Sequence, residues 1–333
     1  MRLLLCIFTL LVASQVTSAQ WVKQTVNTTA SFRGLSVVNE KIVWASGTEG
    51  TVIKTIDGGK TWKVMSVPGA EKIDFRDIEA FDANTAYILS IGSGESSRIY
   101  KTTDGGKTWN LQFKNTNEKA FFDALACRDR KFCVAVSDPV EDQFIFIATE
   151  DGWAEWSGND YENPPAQKNE AAFAASGTCL IVSGNTFFLA SGGSNARVFR
   201  TTNGFVSWKV ADTPILNGVA GSGIFSIAMF DKNNGVIVGG DYEKPNDAKD
   251  NLAFTIDGGK TWKPGLGLSG YRSAVTYIDK TTIIAVGTNG TDITRNGGKS
   301  WKKIGNENLN AVAAKGKRAT WAVGPKGLVV KMK

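Results

Sequence analysis

The chain has 333 residues with ordinary hydrophobic and charged fractions (42% and 21%), a formal charge of +6 and no histidine. The lack of histidine removes Ser–His and Cys–His nucleophile pairs and every histidine-bearing metal site. The positive charge is scattered without arginine-rich runs, which speaks against nucleic acid and for an acidic surface or partner.

Residues 1–19 read as a secretory signal: Arg2, an apolar run from Leu3 to Val12, then Thr17-Ser18-Ala19 as small residues for cleavage. The run is shorter than the roughly 20 residues a bilayer span needs. Cys6 lies inside it without the small residues of a lipoprotein site, so no lipid anchor is expected. No later segment is apolar enough to span. The expectation is a single domain over 20–333, secreted or periplasmic, without membrane insertion, with a charge of +5 once Arg2 is lost.

From there the chain repeats one phrase, Thr-x-Asp-Gly-Gly-Lys-Thr-Trp, at Thr55 to Trp62, Thr102 to Trp109 and Thr255 to Trp262. Thr294 to Trp301 is a close relative, and Thr149 to Trp156 and Thr201 to Trp208 are looser copies. The key turn residues are Asp57, Asp104, Asp151, Asn203, Asp257 and Asn296, spaced 47, 47, 52, 54 and 39 apart. Such periods point to β-propellers, in which each unit is a four-stranded blade. One unit shows the pattern: Arg33 to Val38, Ile42 to Gly47, Thr51 to Ile56 and Thr61 to Ser66, β-formers separated by Gly-, Asp- and Asn-rich turns. A seventh unit starts at Asn310 and lacks its fourth strand, for which Gln20-Trp21-Val22-Lys23 is the candidate because it resembles Thr61-Trp62-Lys63-Val64. The predicted fold is therefore all-β, a seven-bladed propeller closed by its N-terminal strand. Closure leaves no exposed edge, so a monomer is expected.

The phrase resembles the Asp box of sialidase-type propellers. The run from Gly50 to Trp62 is closer still to the repeat of the photosystem II assembly and stability factor family, a resemblance that extends through all seven units. It implies an extracytoplasmic, non-enzymatic assembly propeller, and departs from the photosynthetic members in lacking a lipid-anchor cysteine. The Asp and Asn positions are expected to be structural, with the side chain accepting from its own turn, glycine supplying positive φ and tryptophan burying its ring.

Insertions at Gly92 to Ser97, Asp138 to Gln143 and Asp241 to Asn251 fall on the rim opposite these turns, where binding residues usually sit. Three inner strands begin alike, with Phe32-Arg33, Phe75-Arg76 and Tyr271-Arg272, where other units hold Phe122, Phe225 and Asn310. Arg33, Arg76 and Arg272 are expected to crowd one side of the channel mouth as a receptor for carboxylate, phosphate or sulfate, unless local acids such as Asp74 and Asp77 neutralise them. Asp138, Asp241 and Tyr242 would line the same mouth.

The partner so implied is a protein or peptide segment, acidic or offering a C-terminal carboxylate, with no cofactor. An alternative is a sialidase-like glycosidase with Tyr242 or Tyr271 as nucleophile and Asp138 or Asp241 as acid. The glycines of Gly218 to Gly223 lack the strand-to-helix context of a dinucleotide site. Glu141-Asp142 has no ligand spacing that argues for a metal. Cys127 and Cys133 flank a polar turn and either pair as a disulfide or remain, with Cys179, buried thiols.

Overall fold

The computed structural model describes residues 20–152, 155–158 and 161–333; the expected signal segment lies outside them, as do Trp153 and Ala154 of the third turn phrase. The strands form seven sheets, and the innermost strand of each packs against the innermost strands of its neighbours, closing a ring. Blade 1 runs Phe32–Val37, Val43–Gly47, Thr51–Thr55, Lys63–Ser66, and blade 2 runs Phe75–Ala80, Ala86–Ser90, Arg98–Thr102, Asn110–Lys114. Blade 3 has Phe122–Cys127, Cys133–Val140 and Gln143–Thr149, its outer position marked by a bridge between Ala148 and Ser157. Blades 4, 5 and 6 begin at Leu180–Ser183, Ser222–Met229 and Ala274–Tyr277.

Blade 7 takes Ala311–Ala314, Thr320–Val323 and Val329–Met332 from one end of the chain and Trp21–Lys23 from the other. Trp21 pairs with Met332 and Lys23 with Val330, so the expected closure is present. The Trp21 indole is buried and donates to Thr291 Oγ1 of blade 6 at 3.0 Å, which ties the closing strand to the preceding blade as well.

The turns show why their residue types recur. Asp57 Oδ1 accepts from Thr61 N (2.9 Å) and from Thr55 Oγ1 (2.8 Å), and its Oδ2 accepts from Thr61 Oγ1 (2.6 Å). Asp104 and Asp257 repeat the pattern with Thr108 and Thr261. Where the residue is an amide, the hydroxyl four residues on becomes an acceptor. Asn203 Nδ2 donates to Ser207 Oγ and Asn296 Nδ2 to Ser300 Oγ. Asp151 accepts from Thr149 Oγ1.

Each turn also joins two blades. Lys54 stands opposite Trp44 in register, lies 4.4 Å from its ring, and donates to Gly105 O of the next blade's turn at 2.9 Å. Lys101 repeats this over Tyr87, donating to Gly152 O, and Lys331 over Trp321, donating to Gly58 O at 3.2 Å. The turn tryptophan then packs edge-on against the same ring: Trp109 on Trp44, Trp156 on Tyr87, Trp62 on Trp321. Cation–π attraction, a charge-assisted hydrogen bond and apolar burial thus converge at the junctions 7/1, 1/2 and 2/3. On the same rim Cys127 and Cys133 face each other across their hairpin and form a disulfide, while Cys179 is a buried free thiol.

Between blades 3 and 4 residues 172–177 cross the axis and plug the channel. Phe173 stacks on Phe225 of blade 5 at 3.9 Å, and Ser176 Oγ donates to Ser273 O beside blade 6 at 3.0 Å. Gly177 has φ +75° and lies so close to Asp77 that a Cβ there would sit 2.2 Å from its carboxylate. Only glycine fits. A buried carboxyl supports the plug from below, Asp138 accepting from Ala172 N (2.8 Å), while Asp77, beside Gly177, accepts from Ile78 N (2.8 Å) of blade 2 and Leu125 N (2.7 Å) of blade 3. Burial pushes Asp77 up to about 7 and Asp138 up to about 6, against these N–H donors. Burial and then the Asp138 charge raise Asp123, and burial and then Asp77 raise Glu79 to about 8 with Lys315 opposing.

Two predictions follow from these contacts. Trp21→Ala removes a buried ring and an interblade hydrogen bond and is expected to cost about 3–5 kcal/mol by denaturant unfolding; a cost below about 1 kcal/mol would show that closure does not depend on it. The second concerns pH. Because the chain has no histidine, the raised carboxyls dominate proton uptake between pH 5 and 8. Each binds its proton more tightly in the folded than in the unfolded chain, so stability falls as pH rises through that window. The turn aspartates act oppositely and lower down: Asp57 is held at about 2 by the Thr61 hydroxyl and N–H, and Asp257, despite desolvation, by those of Thr261, so their contribution is lost as pH falls below about 4. The Tm is expected to be higher at pH 5 than at pH 8, and Asp77→Asn to shrink that difference. An unchanged slope in the variant contradicts this assignment.

Candidate functional site

The residues at the channel mouth are placed by β-bulges. In blade 1 the register jumps from Phe32↔Gly47 to Gly34↔Ser46, leaving Arg33 as the extra residue. In blade 2 the extra residue is Arg76, in blade 3 Asp123 and in blade 5 Phe225. A bulge re-aims one side chain while its neighbours keep the pleat. Here the neighbours Phe32, Phe75, Phe122 and Ile224 stay buried between blades, and Arg33, Arg76 and Phe225 turn to the axis.

Together with the plug they enclose a cavity of about 310 Å³. One wall is aromatic: Phe173 stacked on Phe225, with Tyr271 edge-on at 4.8 Å and Tyr242 at 6.2 Å. The opposite wall is the two guanidinium groups. Arg33 Nη1 donates to Ala175 O at 3.2 Å, and Arg76 Nη1 to Ala174 O at 3.3 Å. Arg76 Nε is paired with Asp74 at 2.8 Å. Burial and then the neighbouring Arg76 charge lower the Arg33 pKa, with Tyr271 and Asp74 opposing. Burial raises the Tyr271 hydroxyl pKa, with Arg33 opposing. Ser273, Thr288 and Asn310 complete the lining, and no carboxylate belongs to it. Each guanidinium carries five N–H donors and spends one on the plug, so both keep donors for an anion.

Arg272 does not belong to this mouth, contrary to the sequence expectation. Gly287 packs against Tyr271 O as Gly47 packs against Ser31 O, and Ala274 pairs one residue in from it as Gly34 does. Arg272 therefore occupies the place of Phe32, and Ser273 the place of Arg33. A slip of one residue exchanges the faces of a strand. The Arg272 side chain is fully buried between blades, where it pairs with Asp292 and donates to Asn289 Oδ1 and Tyr271 O, each at 2.6 Å. In blade 3 the same offset places Asp123, rather than Phe122, at the bulge.

Of the other expected residues, Tyr242 lines the cavity and is half exposed. Asp138 lies beneath the plug. Asp241 is buried in its own loop, accepting from Glu243 N at 2.9 Å, and does not reach the cavity. With neither acid beside Tyr242 or Tyr271 in the cavity lining, and with Tyr271 pushed away from ionisation, the geometry of a tyrosine nucleophile and partner acid is not assembled. Among the described residues no group of three or more acidic or cysteine side chains is placed to hold a metal, and no helix is long and apolar enough to cross a membrane. The plug was not anticipated. Its sequence signal is Ala171-Ala172-Phe173-Ala174-Ala175-Ser176-Gly177, small and apolar without strand alternation between the third and fourth turn phrases.

A family model for the photosynthesis system II assembly factor YCF48 matches residues 13–120, which include the first two blades. A solved structure of YCF48 bound to D1 peptide is 16% identical and aligns over 95% of this chain and 97% of its own with a TM-score of 0.69. YCF48 from Cyanidioschyzon merolae is 18% identical over 95% and 98% of the two chains, with a TM-score of 0.67. U3-55K, at 12% identity over 94% and 98%, has a TM-score of 0.63. No curated protein matches the chain. At these identities the solved structures speak for the fold alone, a closed ring of seven blades, and over its first repeats the chain is similar to the photosynthesis system II assembly factor YCF48.

Proposed function

We propose that this propeller is a non-enzymatic binding or assembly factor that grips a carboxylate-bearing segment of a partner protein at the plugged mouth of its channel. The observation that carries this reading is the pairing of two bulge-presented guanidinium groups with an aromatic wall, in a cavity whose lining contains no carboxylate. Arg33 and Arg76 supply the fork for an anion, and Phe225, Tyr242 and Tyr271 supply contact for an adjacent apolar side chain. A similar propeller, YCF48, has been solved bound to D1 peptide, which supports a peptide as the ligand. A C-terminal carboxylate suits the site best, because the plug blocks passage of a continuing chain.

The same reading takes the protein to be extracytoplasmic and monomeric. The signal-like residues 1–19 and the Cys127–Cys133 disulfide support the first, and a ring that pairs its own ends supports the second.

The test is fluorescence anisotropy with a short peptide that ends in an aromatic residue and a free carboxylate, beside its C-terminal amide. The free acid is expected to bind the tighter, and Arg33→Ala or Arg76→Ala to weaken it about 10- to 100-fold each. Equal binding of acid and amide, or full binding by the double variant, would remove the arginines from the site. Arg272→Ala serves as the contrast: it leaves Asp292 buried and unpaired and is expected to cost about 3–5 kcal/mol of stability. A stable Arg272→Ala protein with lost peptide binding would reverse the assignment.

A further inference from the structure

We infer that the junction between blades 5 and 6, on the rim opposite the mouth, is an unfilled copy of the lysine staple and takes a lysine side chain from a partner protein. At the junctions 7/1, 1/2 and 2/3 the chain supplies that lysine itself. Trp44↔Lys54, Tyr87↔Lys101 and Trp321↔Lys331 are register partners, and each lysine reaches a glycine carbonyl of the next turn. Lys54 also donates to Ala83 O at 2.7 Å. In blade 5 the corresponding register pair is Val236↔Phe254. Neither has an ammonium; the Phe254 ring packs on Gly298 of the next turn, as the Trp321 ring packs on Gly59, and the lysine's place stays empty.

What remains is a cavity of about 160 Å³ whose lining includes Phe230, Phe254, Ile256, Tyr277, Lys280 and Gly297. Gly297 occupies the place of Gly105, since Gly297 N donates to Thr281 O as Gly105 N donates to Asn84 O. By the same offset Lys280 occupies the place of Ala83. The carbonyls that hold Lys54 at junction 1/2 therefore have counterparts here, at Gly297 and Lys280, to which no lysine among the described residues is bonded. Phe230 and Tyr277 lie 5.5 Å apart and offer aromatic faces in place of Trp44. Asp231 adds negative charge beside Tyr277 and Lys280. A basic residue at the Lys280 position is no obstacle, because Arg130 holds the equivalent place where Lys101 docks. Ile256 and Phe230 are exposed at the rim, where a partner chain would lie. The molecule thus shows in its own junctions what fits this slot: an aliphatic stem between aromatic walls, with an ammonium at its end bonded to turn carbonyls.

The test is a titration of the isotope-labelled protein with N-acetyl-lysine methylamide and, in parallel, with the norleucine analogue, followed by amide shifts. Saturable shifts at Gly297, Lys280 and Tyr277 are expected, with the lysine probe bound about tenfold tighter than the apolar one. The double substitution V236W/F254K supplies the missing pair and is expected to abolish binding. Tyr277→Leu keeps an apolar wall without the aromatic face, and is expected to weaken the lysine probe alone. Equal affinity for norleucine, shifts elsewhere, or unchanged binding in both variants would overturn the inference. Because Arg33 and Arg76 lie on the other rim, failure here and failure of the peptide site are read from different residues.

Discussion

The structure depends on the contact between one blade and the next. A four-stranded antiparallel sheet buries little by itself, and each blade becomes stable only when both faces are covered by neighbours. In this chain the outer part of that contact is reinforced by turns that fold on themselves and then present a glycine carbonyl and a tryptophan edge to the preceding blade. The lysine opposite the aromatic residue joins the two. The side chain is half sheltered, its stem covers the ring, and its ammonium satisfies a carbonyl that the tight turn leaves without a backbone partner. Closure is the same contact made once more, with Lys331 and Trp321 meeting the turn of blade 1.

That rigid ring makes an irregular inner surface useful. Bulges in blades 1, 2, 3 and 5 sit at equivalent places, so substituting the bulge residue changes the mouth without disturbing the packing of the residue before it. Arginine at two of these positions is tolerated because the plug turns its carbonyls toward them. The plug in turn is held by carboxyls that burial drives toward their neutral forms. Charge on the upper side and protons on the lower side are therefore set by the same short segment.

Much of the architecture was legible because turn chemistry leaves a fixed signature: an acceptor at one position, glycine for positive φ, a hydroxyl and a tryptophan. The closing strand was legible for the same reason, since Trp21 has the environment of a turn tryptophan's strand. The mouth was harder. Phe32-Arg33 and Tyr271-Arg272 look equivalent in sequence, yet one residue of register puts the second arginine into a hydrophobic slot. The signal that separates them lies elsewhere, in Asp292, where blade 1 has Ile53 and blade 2 has Tyr100. An acid in the middle of a buried strand needs a buried cation, and Arg272 is that cation. The placement of the plug was not legible, because a small, apolar segment without strand alternation gives no indication of which surface it covers.

Uniting residues 21–23 with residues 329–332 in one sheet also has a kinetic side. Most pairings in the ring are hairpins between strands close in sequence, and these can form early and locally. The final sheet joins segments separated by nearly the whole chain, so it carries the largest loop-closure cost and must come late. Until then blade 7 presents an open edge and the blade 1 turn lacks its lysine, and a chain still being synthesised is held in that unlatched form.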